Sequence, residues 1–146
     1  MPDYTPVIIP GLTVTFTAAT AVTGGDPVEV AGSGLVQACA APGSPRYVGV
    51  AAADTAAGLL VTVFSDRVLH EGLADGPVTA GDQVMASSVP GRQVTAAPAP
   101  AVDVGGTFNE TTINAALNAA LQAERAVIGV AITNAPDGQP VRWMQK

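Results

Sequence analysis

The chain has 146 residues, enough for one ordinary domain and too few for two comfortable ones. Hydrophobic residues make up 48% but aromatics only 4%, so any core is assembled from small and β-branched side chains, and a charged share of 12% points to surface covered by partners. With a net charge of −6 and six dispersed basic residues (Arg46, Arg67, Arg92, Arg125, Arg142, Lys146), the sequence lacks the clustered cations that nucleic-acid binding needs, and no apolar run is long enough to span a membrane.

The sequence starts MPDYTPVIIP. That stretch has neither the basic region nor the apolar core of a signal peptide, and Pro2 stands where myristoylation needs glycine. Its prolines remove backbone donors and hold the chain extended, so residues 1–11 are expected to form an arm outside the domain. In LTVTFTAATAV, Leu12, Val14 and Phe16 alternate with threonines, the period of a half-buried strand. TGGDPVEVAG then predicts a glycine turn and a short strand around Val28 and Val30. SGLVQACAAPGSPRYVGVAAAD predicts two more strands about a Pro/Gly turn, and LLVTVF predicts another ending near Phe64. Further strands are expected at Arg67 to Leu69, Gln83 to Ala86 and Gln93 to Ala96. Turn signals about every ten residues predict an all-β barrel or sandwich.

The stretch AAPAPAVDVGG reads as a loop, and NETTINAALNAALQAERA then breaks the β pattern. Ile113, Ala116, Leu117, Ala120 and Leu121 fall at helical spacing, with Asn109 or Thr111 as the cap, predicting a helix over about 109–125. Ile113, Leu117 and Leu121 are its packing residues, either covering one end of the sheet or meeting copies of themselves in an oligomer.

Two phrases recur. VGVAAADTAAGLLV, from Val48, is matched by IGVAITNAPDGQPV, from Ile128, aligning Gly49 with Gly129, Gly58 with Gly138 and Val61 with Val141. VTGGDPV, from Val22, resembles VTAGDQV, from Val78. The order is the same in each half, so the expectation is a mainly β domain over 12–146 made of two related half-motifs, 12–69 and 76–146, the second carrying the helix as an insertion.

Little in the sequence suggests chemistry. Cys39 has no partner cysteine and reads as a small buried hydrophobe. Ser65, Asp66, His70 and Glu71 are neighbours in FSDRVLHEG, but residues so close on a strand and turn point in different directions and no nucleophile elbow is present. The segment is expected to be a solvated loop. One histidine and one cysteine cannot make a structural zinc site, and Asp26, Asp54, Asp82 and Asp137 sit singly at turns. No catalytic residue, metal ligand or cofactor is therefore expected.

The ordered set TVTFTAATAVTGGDPVEV, YVGVAAADTAAGLLVTVF, GPVTAGDQVMA and VIGVAITNAPDGQPVRW resembles the small capsid decoration (cement) proteins of tailed bacteriophages, over roughly residues 12–143. The helix is longer than that family's pattern at its position. The resemblance implies a compact β-barrel subunit that trimerises on the outer surface of the mature head, contacts the major capsid protein, bridges capsomers and stabilises the shell without being an enzyme. For such a protein, made in the host cytoplasm and carried on the virion, the arm residues Tyr4, Val7, Ile8 and Ile9 are the expected capsid contacts, by adding an extended segment to a partner. Otherwise the arm folds back on its own barrel or joins a neighbour in the trimer. The alternative is a head-fibre base or a carbohydrate-binding, adhesive virion module, although Tyr4, Tyr47 and Trp143 are a sparse supply of aromatics for stacking on sugars.

Overall fold

The computed structural model describes Tyr4, Val7 and residues 11–99 and 109–146. Ten strands and one helix follow one another as β1 (Thr13–Ala18), β2 (Pro27–Gly32), β3 (Leu35–Ala38), β4 (Tyr47–Ala51), β5 (Leu60–Phe64), β6 (Leu69–Leu73), β7 (Gln83–Ala86), β8 (Val94–Ala96), α1 (Glu110–Ala126), β9 (Val127–Ala131) and β10 (Pro140–Gln145). The first five strands close into a barrel in the order β1-β3-β2-β4-β5. The last five form a sheet in the order β6-β10-β9-β7-β8. A parallel bridge between Ala74 and Val94 joins the two edges of this second sheet, so it too curls into a barrel.

The two barrels have the same topology and register. β1 runs antiparallel to β5 with Val14 opposite Val63, and β6 to β10 with His70 opposite Trp143. β2 meets β4 with Val28 opposite Gly49 and slips after Val28, while β7 meets β9 with Val84 opposite Gly129 and slips after Val84. The parallel contact of Ala18 with Val36 has its counterpart in Ala74 with Val94. Even the turns repeat. Thr23 N donates to Asp26 Oδ2 at 2.9 Å and Thr79 N to Asp82 Oδ2 at 2.8 Å. Gly24 N donates to Asp54 Oδ1 at 2.9 Å and Ala80 N to Asn134 Oδ1 at 2.7 Å, so the Asp/Asn pair of the repeated phrase ties its own turn to the preceding one. Gly25 and Gly81 sit at φ 94° and 95°, a left-handed turn conformation that favours glycine.

The first barrel is filled by Ala18, Val22, Val28, Val36, Ala51, Val61 and Val63, with Phe16 against them. The second core holds Ala74, Val78, Val84, Ala86, Val94, Ala131, Val141 and Trp143, and it also takes in Cys39 and Val50 from the first barrel. Large and small side chains change places between the barrels. Phe16 lies opposite Val61 and Val14 opposite Val63, whereas Gly72 lies opposite Val141 and His70 opposite Trp143. Volume is filled either way, which is the constraint a close-packed interior imposes. Burial pushes the Cys39 thiol up to about 12, so it stays an inert hydrophobe.

Two sequence expectations need correction. Alternation along β1 does not half-bury it throughout, because Leu12 and Val14 are exposed at the barrel's mouth and burial begins at Phe16. The strand expected at Arg67 to Leu69 instead spans Leu69–Leu73, since pairing with β10 carries it through His70, Glu71 and Gly72 despite their weak β preference.

Gly49 and Gly129 sit at the two equivalent bulges, where a β-carbon would collide with the carbonyl oxygens of Phe64 and Met144. Backbone cannot retreat as a flexible side chain can. Gly49→Ala and Gly129→Ala are each expected to cost about 2–3 kcal/mol, read as a lowered urea midpoint at unchanged slope.

Candidate functional site

Of the four arm residues singled out, Tyr4 and Val7 are described, while Ile8 and Ile9 lie outside the described residues. Tyr4 N donates to Ala52 O of the first barrel at 2.6 Å, and Val7 N donates to Leu69 O of the second at 2.9 Å. Through their backbones, Tyr4 and Val7 are thus tied to one barrel each, on either side of the junction. The Tyr4 ring lies beside Gly25, its backbone beside Gly24, and it stacks on His70 with centroids 5.7 Å apart. The Val7 side chain faces outward.

His70 is the centre of this junction. Its ring stacks on Trp143, centroids 4.7 Å apart, and on Tyr4, and it meets the Phe64 ring at a steep angle with centroids 6.3 Å apart. Gln145 fixes the tautomer: its amide nitrogen donates to Phe64 O at 3.4 Å, leaving Oε1 to accept from His70 Nε2 at 2.9 Å. Nδ1 then accepts from the Tyr4 hydroxyl at 2.8 Å. The expectation of a solvated loop fails here, because His70 points inward from β6 and is wholly buried.

Its sequence neighbours do go elsewhere. Ser65 Oγ donates to Leu12 O at 3.2 Å, and Glu71, on the outer face of β6, pairs with Arg142 Nε at 2.7 Å. A hydrolytic site needs its nucleophile and base in mutual contact. The serine and the histidine are each committed to other partners. Two clefts of about 230 Å³ open between the barrels, one beside Tyr47, Ser65 and Arg125, the other beside Asp26, Cys39 and Arg92. Among the described residues, no group of three His, Cys, Asp or Glu side chains could hold a metal ion.

The helix forms as its sequence requires. Asn109 caps it by accepting from Thr112 N at 2.7 Å, Glu110 lies in the first turn and Arg125 in the last, each complementing the helix dipole. Only Ala126 is buried. Ile113, Leu117 and Leu121 remain exposed, Leu117 at 50%, so the helix does not cover the end of either barrel. A Glu110–Ala126 helix is marginal in water without tertiary contacts, and its narrow row of Ile113, Leu117 and Leu121 has no cover within the described chain.

The buried junction makes stability depend on pH. Burial pushes the His70 pKa down to about 4, partly offset by its bond to Gln145. An unfolded chain takes up a proton there near pH 6.5, so stability is full above that pH, falls towards pH 4 and then levels off, by about 3 kcal/mol in all. Urea unfolding of the wild type and His70→Gln should show a stability difference that shrinks on acidification over this window. Tyr4→Phe, which leaves Nδ1 without its donor, is expected to cost about 1–3 kcal/mol at neutral pH.

No protein-family model matches the sequence, and no curated protein matches it. Among solved structures, the fold is similar to that of the head fiber gp8.5 N base in bacteriophage phi29, with a TM-score of 0.55 and 18% sequence identity. The similarity covers 92% of this chain and 93% of that one, so it spans both barrels; at that identity it is a likeness of fold.

Proposed function

We propose that this chain is a non-enzymatic structural module of a tailed-phage virion, a head-fibre base that sits as a homotrimer on the outer surface of the head against the major capsid protein. The observation that carries this reading is the fold similarity to the phi29 head fiber base, which extends over 92% of the chain rather than over one common barrel. The chemistry fits an inert role: the one histidine is buried among Tyr4, Trp143 and Gln145, and the thiol of Cys39 is buried. An adhesive, sugar-stacking role has less support, since among the described aromatics Trp143 and Phe64 are buried and Tyr4, Phe16 and Tyr47 are at least half-buried.

Attachment to a repeated lattice needs a shape-matched patch on a rigid body, and three modest contacts per trimer gain through effective concentration. Two barrels, each with its own core and joined where Cys39 and Val50 of the first enter the core of the second, supply that rigidity. The second reading, a decoration protein that bridges capsomers and stabilises the shell, is favoured by the four sequence phrases that resemble that family. A protein that binds only the assembled lattice stabilises it by mass action.

One experiment separates them. Purified protein added to heads that lack it should bind saturably in multiples of three copies. A raised temperature of head rupture on binding favours decoration, whereas saturable binding with unchanged rupture favours the fibre base. No binding to any head rejects both.

A further inference from the structure

The barrels meet through unlike faces, and each retains an unused version of the face that the other employs. On the first barrel the contact is an outward row across β2, β4 and β5, in which Pro27 lies opposite Val50 and Val50 opposite Phe64. All three are buried, with Val50 inside the second barrel's core. The equivalent row on the second barrel is Gln83, Val130 and Met144, paired in the same register across β7, β9 and β10. This row is open to solvent, Met144 at 40%.

The receiving face shows the converse. Phe64 lands on the mouth of the second barrel formed by His70 and Gln145, beside Val68, which is wholly buried. The pairings Ser65 N to Leu12 O and Gln145 N to Val68 O, both 2.9 Å, mark the same position in each repeat. The corresponding mouth of the first barrel is Leu12, Val14 and Ser65, and there Leu12 is 64% exposed.

We propose that a second copy of this chain docks head to tail, its first-barrel mouth at Leu12 and Val14 receiving the Val130–Met144 row, by repeating the contact that joins the two barrels within one chain. The helix belongs to the same contact. Within the chain, the loop before Tyr47 rests on the second barrel through Gly43 N donating to Ala86 O at 2.9 Å. The helix replaces that loop in the second half and ends at Ala126, directly before Val127, the counterpart of Tyr47. Val30, the counterpart of Ala86, is partly exposed where Ala86 is buried. Docking in this way brings the uncovered stripe of Ile113, Leu117 and Leu121 to the Val30 side of the neighbour. A contact between unlike faces continues from copy to copy until the rotation closes a ring. The proposal gives the trimer of the preceding reading its contact, yet it stands on the repeat and not on the virion role.

The test is self-association measured by sedimentation velocity. The wild type is expected to form a discrete species larger than one chain. Met144→Glu and Leu12→Glu, both at exposed positions, should each run as monomers with the wild-type circular dichroism; Val130→Glu and Val14→Glu replace either one that loses it. A mixture of Met144→Glu with Leu12→Glu keeps one intact face on each chain, and it should give a species of two chains and nothing larger. A monomeric wild type, single variants that keep the wild-type mass, or a mixture that stays monomeric would each overturn the proposal. None of these readouts uses phage heads, so a failure to bind heads leaves this result standing and the converse also holds.

Discussion

Val50 and Phe64 point out of the first barrel, and both would meet water if the second barrel were not packed against them. Burying two such side chains stabilises the pair of barrels by about 1.5–3 kcal/mol each. Much else follows from that contact. It shuts His70 and Gln145 away from solvent, and the amide of Gln145 bonds across the junction to Phe64. It also creates the seat for Tyr4, which ties the arm to Ala52 on one side and His70 on the other. The arm is thereby part of the body at Tyr4 and again at Val7, whose amide donates to Leu69 O.

A buried polar cluster of this kind is tolerated because its members satisfy one another. Tyr4 donates to Nδ1, Nε2 donates to Gln145, and Trp143 Nε1 donates to Gln93 at 3.1 Å. Removing any one leaves a desolvated group alone, which is more costly than the bond was stabilising. The same economy of small parts runs through the cores. Where the first barrel has Phe16, the second has Gly72 covered by the side chain of Gln93, and Trp143 takes up the volume that Val63 leaves in its twin. A composition poor in aromatics suffices because valine and alanine fill most of both cores.

Duplication explains why apolar positions left exposed at the two ends of the tandem correspond to positions that are buried at the junction. Equivalent topology places corresponding faces on each barrel, and within a single chain only one face of each kind is covered. The leftover faces are the exposed Leu12 and Val14 at one end of the tandem and Val130 and Met144 at the other.

The sequence by itself determined the repeat, the turns and the helix, because these depend on local chemistry. Glycine at a left-handed turn, Asp or Asn aimed at backbone amides, and a four-residue apolar spacing after Asn109 each act within a few residues or at a fixed turn. It could not decide which face of a strand is inside. Val50 and Val130 occupy the same place in the repeated phrase, yet one is buried and the other exposed; His70 reads as a loop residue and lies in the core. Those outcomes are set by which barrel packs on which, a contact between segments far apart in the chain. Burial is a property of that packing, so only the tertiary structure could assign it.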